Sequence, residues 1–162
     1  MPGCIVLSVK TNAIRIVETA GIDYVLHSYP CKEALDAVTV AGKIGAEIER
    51  VFKTLVTEGK SGNFYVFVVP GKEELDLKKA AQSVGEKSVS MIHVKDINKI
   101  TGYIRGGCSP VGMKKNYVTV FDESAVNFEK IYVSAGKLGF QMEISPVHLC
   151  QLVNGSFHNI TL

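Results

Sequence analysis

Val51-Phe52-Lys53-Thr54-Leu55-Val56-Thr57-Glu58-Gly59-Lys60-Ser61-Gly62-Asn63-Phe64-Tyr65-Val66-Phe67-Val68-Val69-Pro70 reads as two strands joined by a tight turn. Apolar and β-branched residues at 51–57, two glycines among polar residues at 58–63, and an unbroken apolar run at 64–69 together form a hairpin signal. A strand that is apolar throughout has no solvent face, so 64–69 belongs at the centre of a sheet, covered on both sides. Its hairpin partner then lies beside the core. In that partner, alternation puts Val51, Lys53 and Leu55 on one face and Phe52, Thr54 and Val56 on the other. An amine among apolar neighbours is costly unless it snorkels to the sheet edge along its stem, or meets an anion or convergent acceptors. Lys53 is therefore the first candidate for chemistry.

Working outward, Thr11-Asn12 caps a helix running through Ala20 and closed by Gly21. Residues 23–29 alternate like a strand, and 39–44 read as a short helix stopped by Gly45. After Pro70 ends the second hairpin strand, 75–84 is an amphipathic helix closed by Gly85. A strand at 88–92 and a helix at 94–100, stopped by Gly102, lead into a glycine-rich loop. Beyond it come a strand at 117–121, a helical turn near 123–126 and a second hairpin, 130–134 with 140–145, turning on Ala135-Gly136-Lys137-Leu138-Gly139. Ser145-Pro146 is an N-cap and N1 pair for a last helix through about Val153. No repeat, linker or low-complexity segment interrupts this order. The expectation is one compact α/β (α+β) domain with a curled, barrel-like mixed sheet and peripheral helices.

At 162 residues, the chain suits one domain with a substantial core and is short for two. Its longest apolar run is far below the ~20 residues that span a bilayer. The start lacks a basic leader and a cleavage site, so a cytoplasmic protein with no membrane partner is expected. Four cysteines (4, 31, 108 and 150) and four histidines (27, 93, 148 and 158) show no metal-ligand spacing, so no metal or cofactor is expected, nor a structural disulfide. A net charge of +2 argues against bulk-charge binding of nucleic acid, and no DNA partner is expected. Basic residues nevertheless gather between Lys78 and Lys115, which suits a local rim for an anion.

The loop Tyr103-Ile104-Arg105-Gly106-Gly107-Cys108-Ser109-Pro110-Val111-Gly112 offers backbone N–H groups free of side-chain obstruction, able to surround a carbonyl oxygen or a phosphate. A tight turn that needs positive φ explains the same glycines equally well. There is no Gly-x-Ser-x-Gly elbow, no metal-binding His/Glu set and no phosphate loop.

Phe52-Lys53-Thr54-Leu55, Leu77-Lys78-Lys79-Ala80-Ala81, Thr101-Gly102-Tyr103, Gly106-Gly107-Cys108-Ser109-Pro110-Val111-Gly112 and Ile131-Tyr132-Val133-Ser134-Ala135-Gly136-Lys137 occur in one order and at one spacing. In these motifs the chain resembles the bacterial YbaK/EbsC family, free-standing cysteinyl-tRNA(Pro) deacylases related to the editing domain of prolyl-tRNA synthetase. The resemblance covers about 10–160, so residues 1–9 read as an N-terminal extension and 10–162 as the deacylase domain. It implies removal of cysteine from Cys-tRNA(Pro), with the substrate's own thiol attacking its ester to leave a cysteine thiolactone. No protein nucleophile, metal or cofactor is then needed. Proximity and oxyanion stabilisation would carry the rate.

The resemblance also implies roles. Lys53 would hold the terminal nucleotide or aminoacyl group and offset developing negative charge. Gly106 and Gly107 would offer backbone N–H groups to the aminoacyl carbonyl, and Ser134 would orient the thiol or the amino group. Tyr29, Thr54, Cys108, Ser109 and Pro110 are candidate pocket residues. Lys114, Lys115 and Lys137 are candidate tRNA phosphate contacts. The expected partners are Cys-tRNA(Pro) and prolyl-tRNA synthetase. Competing expectations are an alanine-specific deacylase of the same superfamily, a non-catalytic tRNA or synthetase adaptor, and a regulatory small-molecule binder on this scaffold.

Overall fold

The computed structural model describes residues 10–162. The extension read at 1–9, with Cys4, lies outside the described residues. In chain order the elements are α1 (Asn12–Thr19), β1 (Tyr24–Ser28), α2 (Ala37–Ile44), β2 (Phe52–Gly59), β3 (Phe64–Pro70), α3 (Leu77–Val84), β4 (Val89–Met91), α4 (Ile97–Thr101), β5 (Val118–Asp122), β6 (Ile131–Ser134), β7 (Phe140–Ile144), α5 (Pro146–Leu152) and β8 (Ser156–His158). Short 3-10 turns occupy Ile48–Arg50, Val94–Asp96 and Glu123–Asn127.

The hairpin β2–β3 forms with Lys53 opposite Val69 and Leu55 opposite Phe67. β3 lies in the middle of a five-stranded sheet ordered β4-β2-β3-β5-β8, antiparallel to β2 and parallel to β5. A three-stranded antiparallel sheet, β1-β7-β6, adjoins it through one parallel bridge between Val51 and Tyr132. The expected curled mixed sheet is thus two sheets joined, among the described residues, by a single strand bridge. Between them lies the main core, where Phe52, Val66, Val68 and Phe121 meet Val133, Met142 and Ile144, and α1 adds Ile14 and Val17. On the outer face of the large sheet, Phe67, Val69 and Val120 pack against Ala80 and Ala81 of α3. Both faces of β3 are covered, as its composition requires.

Side-chain caps set the helix starts. Thr11 accepts from Ile14 N–H (3.1 Å) and donates to the Ala135 carbonyl (2.5 Å), pinning α1 to the turn after β6. α2 begins at Ala37 rather than Thr39, because the Asp36 carboxylate accepts from Thr39 N–H at 2.8 Å. α3 begins at Leu77 rather than residue 75, since Leu75 bridges to Thr161 and Asp76 supplies the cap. The helix expected at 94–100 divides into a 3-10 turn and the short α4. Strand β8, absent from the sequence reading, pairs in parallel with β5. Ser156-Phe157-His158 is too short for its alternation to signal a strand, and pairing with the edge of β5 makes it one.

A polar cluster fastens the hinge. Arg50, one residue before the bridge, donates to the Lys130 carbonyl (2.9 Å) and to Glu143 Oε2 (2.8 Å). His27 Nε2 lies 2.9 Å from Glu143 Oε1, and the Arg50 guanidinium stacks 4.8 Å from the Tyr132 ring centre. Burial by itself would raise the Glu143 carboxyl, but hydrogen bonds from His27 and Arg50 hold it below its ordinary value. A carboxyl whose folded pKa is depressed adds stability that is full above its unfolded pKa and lost as pH falls through the folded one. Glu143→Gln is therefore expected to cost about 1–3 kcal/mol at pH 7 and to flatten the acid limb of stability. Urea unfolding of both proteins from pH 7 down to pH 3 measures this. Identical midpoints throughout would remove the clamp from the account.

Candidate active site

From Lys53 to Leu55, β2 has a strand partner on one side only among the described residues. β4 joins it at Thr57–Gly59, and β6 meets it at Val51 alone. The open stretch of edge is one wall of a cavity of about 470 Å³, the size of a small-molecule site. The Val56 carbonyl on that edge accepts from Ile92 N–H (3.2 Å). Backbone groups alternate between edges along a strand, so the N–H and carbonyl of Thr54 point the same way, into the opening. The other walls come from Tyr29, the segment entering α2, Ile92 and Val94 after β4, the glycine-rich loop, Ser134 of β6 and Gln141 of β7.

A site on an edge, rather than on a face, takes side chains from both alternation sets. Lys53 and Thr54 both line it, although they leave the strand in opposite directions. Lys53 is half-buried, and among the described residues it forms no ion pair. Arg105 is a second cation on the lining. Asp36 is the one acidic residue there, and its carboxylate, held low by hydrogen bonds from Thr39, caps α2. The cavity therefore carries uncompensated positive charge against apolar walls, an arrangement that stabilises an anion developing inside it.

The remaining sequence candidates divide. Tyr29 closes the end of β1, buried, with Gln141 Nε2 at 3.5 Å from its hydroxyl. Burial raises the Tyr29 phenol. Ser134 lines the cavity and accepts from Gly136 N–H at 3.2 Å. Cys108 also lines it, and burial pushes its thiol up to about 11. A thiol with that value stays protonated and is a poor nucleophile.

Gly106 lies on the cavity wall at φ +84°, where a Cβ would meet Leu138 Cδ2 at 2.7 Å and Ala34 Cβ at 2.9 Å. Gly107 does not reach the lining. Its N–H closes the turn on the Ile104 carbonyl (2.9 Å), and a Cβ there would meet the backbone of Leu138 at 3.2 Å and of Lys137 at 3.3 Å. The pairing of Gly106 with Gly107 as two free donors is thus corrected to Gly106 as the cavity-facing member. Ser109 and Pro110 are buried behind the wall, where Ser109 Oγ accepts from Val111 N–H (3.2 Å) and stiffens the loop. They shape the site from outside it.

Lys114, Lys115 and Lys137 are exposed and away from the lining. Lys114 donates to the Lys99 carbonyl (3.2 Å), and the Lys137 amine lies 5.7 Å from the Phe140 ring centre.

The model of the aminoacyl-tRNA editing domain matches residues 31–152. The chain belongs to that family. It is 48% identical over 153 residues to the candidate Cys-tRNA(Pro)/Cys-tRNA(Cys) deacylase EbsC of Enterococcus faecalis, covering 94% of this chain and 93% of that one. A proline–tRNA ligase of Thermosipho melanesiensis is 30% identical over 97 residues, which are 60% of this chain and 17% of the ligase. Among solved structures, a candidate trans-editing enzyme for prolyl-tRNA synthetase superposes with a TM-score of 0.81 at 27% identity, covering 96% of this chain and 99% of its own. The protein APE2540 superposes at 0.85 with 22% identity over 94% of this chain and all of its own, a likeness of fold. Among the described residues no helix is long and apolar enough to cross a membrane.

Within this editing domain the sequence reading missed Gln141 and left Arg105 without a role. The signal for Gln141 was present. In Phe140-Gln141-Met142-Glu143-Ile144, alternation sets Gln141 and Glu143 opposite the core residues. Glu143 is spent on the hinge clamp, whereas Gln141 is buried and faces the cavity.

Two outcomes follow from the loop geometry. Iodoacetamide at pH 8 is expected to alkylate Cys31 well before Cys108, read by peptide mass spectrometry. Faster labelling of Cys108 would mean an activated thiol. Gly106→Ala, strained by its φ and by Leu138 and Ala34, is expected to lose about 1–2 kcal/mol of stability and to narrow the cavity. An unchanged urea midpoint would contradict the close approach.

Proposed function

We propose that the protein is a trans-editing aminoacyl-tRNA deacylase that clears cysteine from Cys-tRNA(Pro), working in the cytoplasm with prolyl-tRNA synthetase supplying tRNA selectivity. Cysteine and proline are close in size, and a hydrophobic pocket separates near-isosteres by only ~1–3 kcal/mol. Correction after charging is physically reasonable for that pair. The observation that carries the reading is a cavity with an uncompensated lysine, in a chain that shares nearly half its residues with a candidate Cys-tRNA(Pro) deacylase.

The chemistry of the cavity supports substrate-assisted release. No histidine lines it, and of its two lining thiols Cys108 is held protonated by burial while Cys31 donates to the Glu33 carbonyl (2.9 Å). The cysteinyl sulfur attacks its own ester carbonyl carbon, and the thiol proton leaves to solvent. The carbonyl oxygen takes up negative charge beside Lys53 and the N–H of Gly106. Collapse re-forms the carbonyl, breaks the ester C–O bond and expels the ribose oxygen, which takes a proton to give free tRNA and the cysteine thiolactone. Lys53 acts as a fixed positive charge beside the developing anion.

Single-turnover deacylation of Cys-tRNA(Pro) beside Ala-tRNA(Pro), with the released amino acid trapped, tests the reading. Cysteine is expected to leave as thiolactone and alanine to stay attached. Lys53→Ala is expected to slow release about 10²–10³-fold. Release of alanine would move the chain to the alanine specificity. No release of either from folded protein would leave a non-catalytic adaptor.

A further inference from the structure

Two buried side-chain oxygens in the described part of the molecule have no hydrogen-bond partner, Thr54 Oγ1 and Gln141 Oε1, and both residues line the same cavity. Thr54 enters from the open edge of β2, and Gln141 from β7 of the other sheet. Elsewhere the interior satisfies its polar groups. Buried Thr57 and Thr101 donate to the carbonyls of Tyr65 and Ile97, and the Asp122 carboxylate accepts from Ser124 and Ile160. A buried polar atom left unpaired destabilises the free protein, so two such atoms on residues that line one cavity call for a ligand that supplies donors.

The chemistry of the pair selects the donor. The Gln141 carboxamide oxygen can only accept, and its amide nitrogen is already turned toward the Tyr29 hydroxyl (3.5 Å). Thr54 Oγ1 can accept from the same group. The one carboxylate on the lining, Asp36, is exposed to solvent and has one oxygen taken up by the cap of α2. Of the groups on an aminoacyl ester, the thiol is a weak donor, whereas the α-ammonium carries three strong, charged ones. The positive side chains Lys53 and Arg105 serve the oxyanion and phosphate end of the ester.

Resting on the deacylase reading, we infer that Gln141 Oε1 and Thr54 Oγ1 form the subsite for the substrate's free α-ammonium group. They anchor Cα and thereby swing the side-chain thiol toward the carbonyl. The enzyme therefore selects unblocked aminoacyl esters, and its N-acetylated substrates are poor.

The test is a cycle between protein and substrate, with Thr54→Val and Gln141→Leu assayed on Cys-tRNA(Pro) and N-acetyl-Cys-tRNA(Pro), and with each protein's Tm recorded. Since Thr54 Oγ1 has no partner in the free protein, Tm is expected to hold or rise in Thr54→Val, and in Gln141→Leu to fall by no more than the lost hydrogen bond to the Tyr29 hydroxyl contributes. Deacylation of Cys-tRNA(Pro) is expected to fall about 10–100-fold in kcat/KM. Wild type is expected to lose about as much on the acetylated substrate, and the variants to lose little further there. Gln141→Glu keeps an acceptor and is expected to retain activity on the free-amine substrate. Equal wild-type rates on both substrates would overturn the inference while leaving the deacylase reading intact. So would additive losses, or a fall in Tm with rates unchanged. Failure of wild type to release cysteine at all would sink both.

Discussion

One parallel bridge, Val51 to Tyr132, is the one strand pairing between the two sheets among the described residues, and the site depends on the edge beyond it staying open. Were β6 paired along the length of β2, the edge from Lys53 to Leu55 would be closed and the cavity filled by backbone. The bridge, with the core packed between the sheets, sets Ser134 and Gln141 across the cavity from Lys53. The Arg50–Glu143–His27 cluster is placed where this hinge would otherwise open. Gly71 serves the same junction: a Cβ there would collide with Ala37, so the close seating of α2 over the bridge depends on a bare backbone. Packing energy from the core between the sheets is thus converted into geometry at a strand edge.

An edge is a hazard for most proteins, since its unpaired N–H and carbonyl groups invite other strands. Here the gap is short, ends against β4 and β6, and is roofed by the entry to α2 and the glycine-rich loop. The result is a small, partly open chamber with the strand edge and a lysine on one wall. Such a chamber suits a reaction in which the substrate brings its own nucleophile. The protein need only exclude water, hold the ester and the thiol close, and oppose the charge that forms. The unsatisfied oxygens of Thr54 and Gln141 belong to the same economy, leaving stability unspent in the free protein for use in binding.

Much of this was legible in the chain. The apolar run at 64–69 identified the central strand, and its hairpin partner located Lys53, because alternation and turn chemistry act locally. Helix ends followed from Thr11, Gly85 and Ser145 for the same reason. What the sequence hid depends on long-range pairing. β8 is a strand only because β5 has a free edge, and Thr54 shares the cavity with Lys53 only because the site lies along an edge. Gly107 and Gly106 look equivalent in a motif, yet one amide is consumed by the turn and the other borders the cavity. Gln141 was visible as a polar residue in an apolar strand, but nothing local said that it lacked a partner.

The most direct test of the central claim is a crystal structure with a non-hydrolysable cysteinyl amide of 3′-amino-adenosine. The account expects the aminoacyl group in the chamber between the open edge of β2 and Gly106, its carbonyl oxygen within reach of the Lys53 amine. Density for the aminoacyl group outside the chamber, or a carbonyl turned away from Lys53, would contradict it.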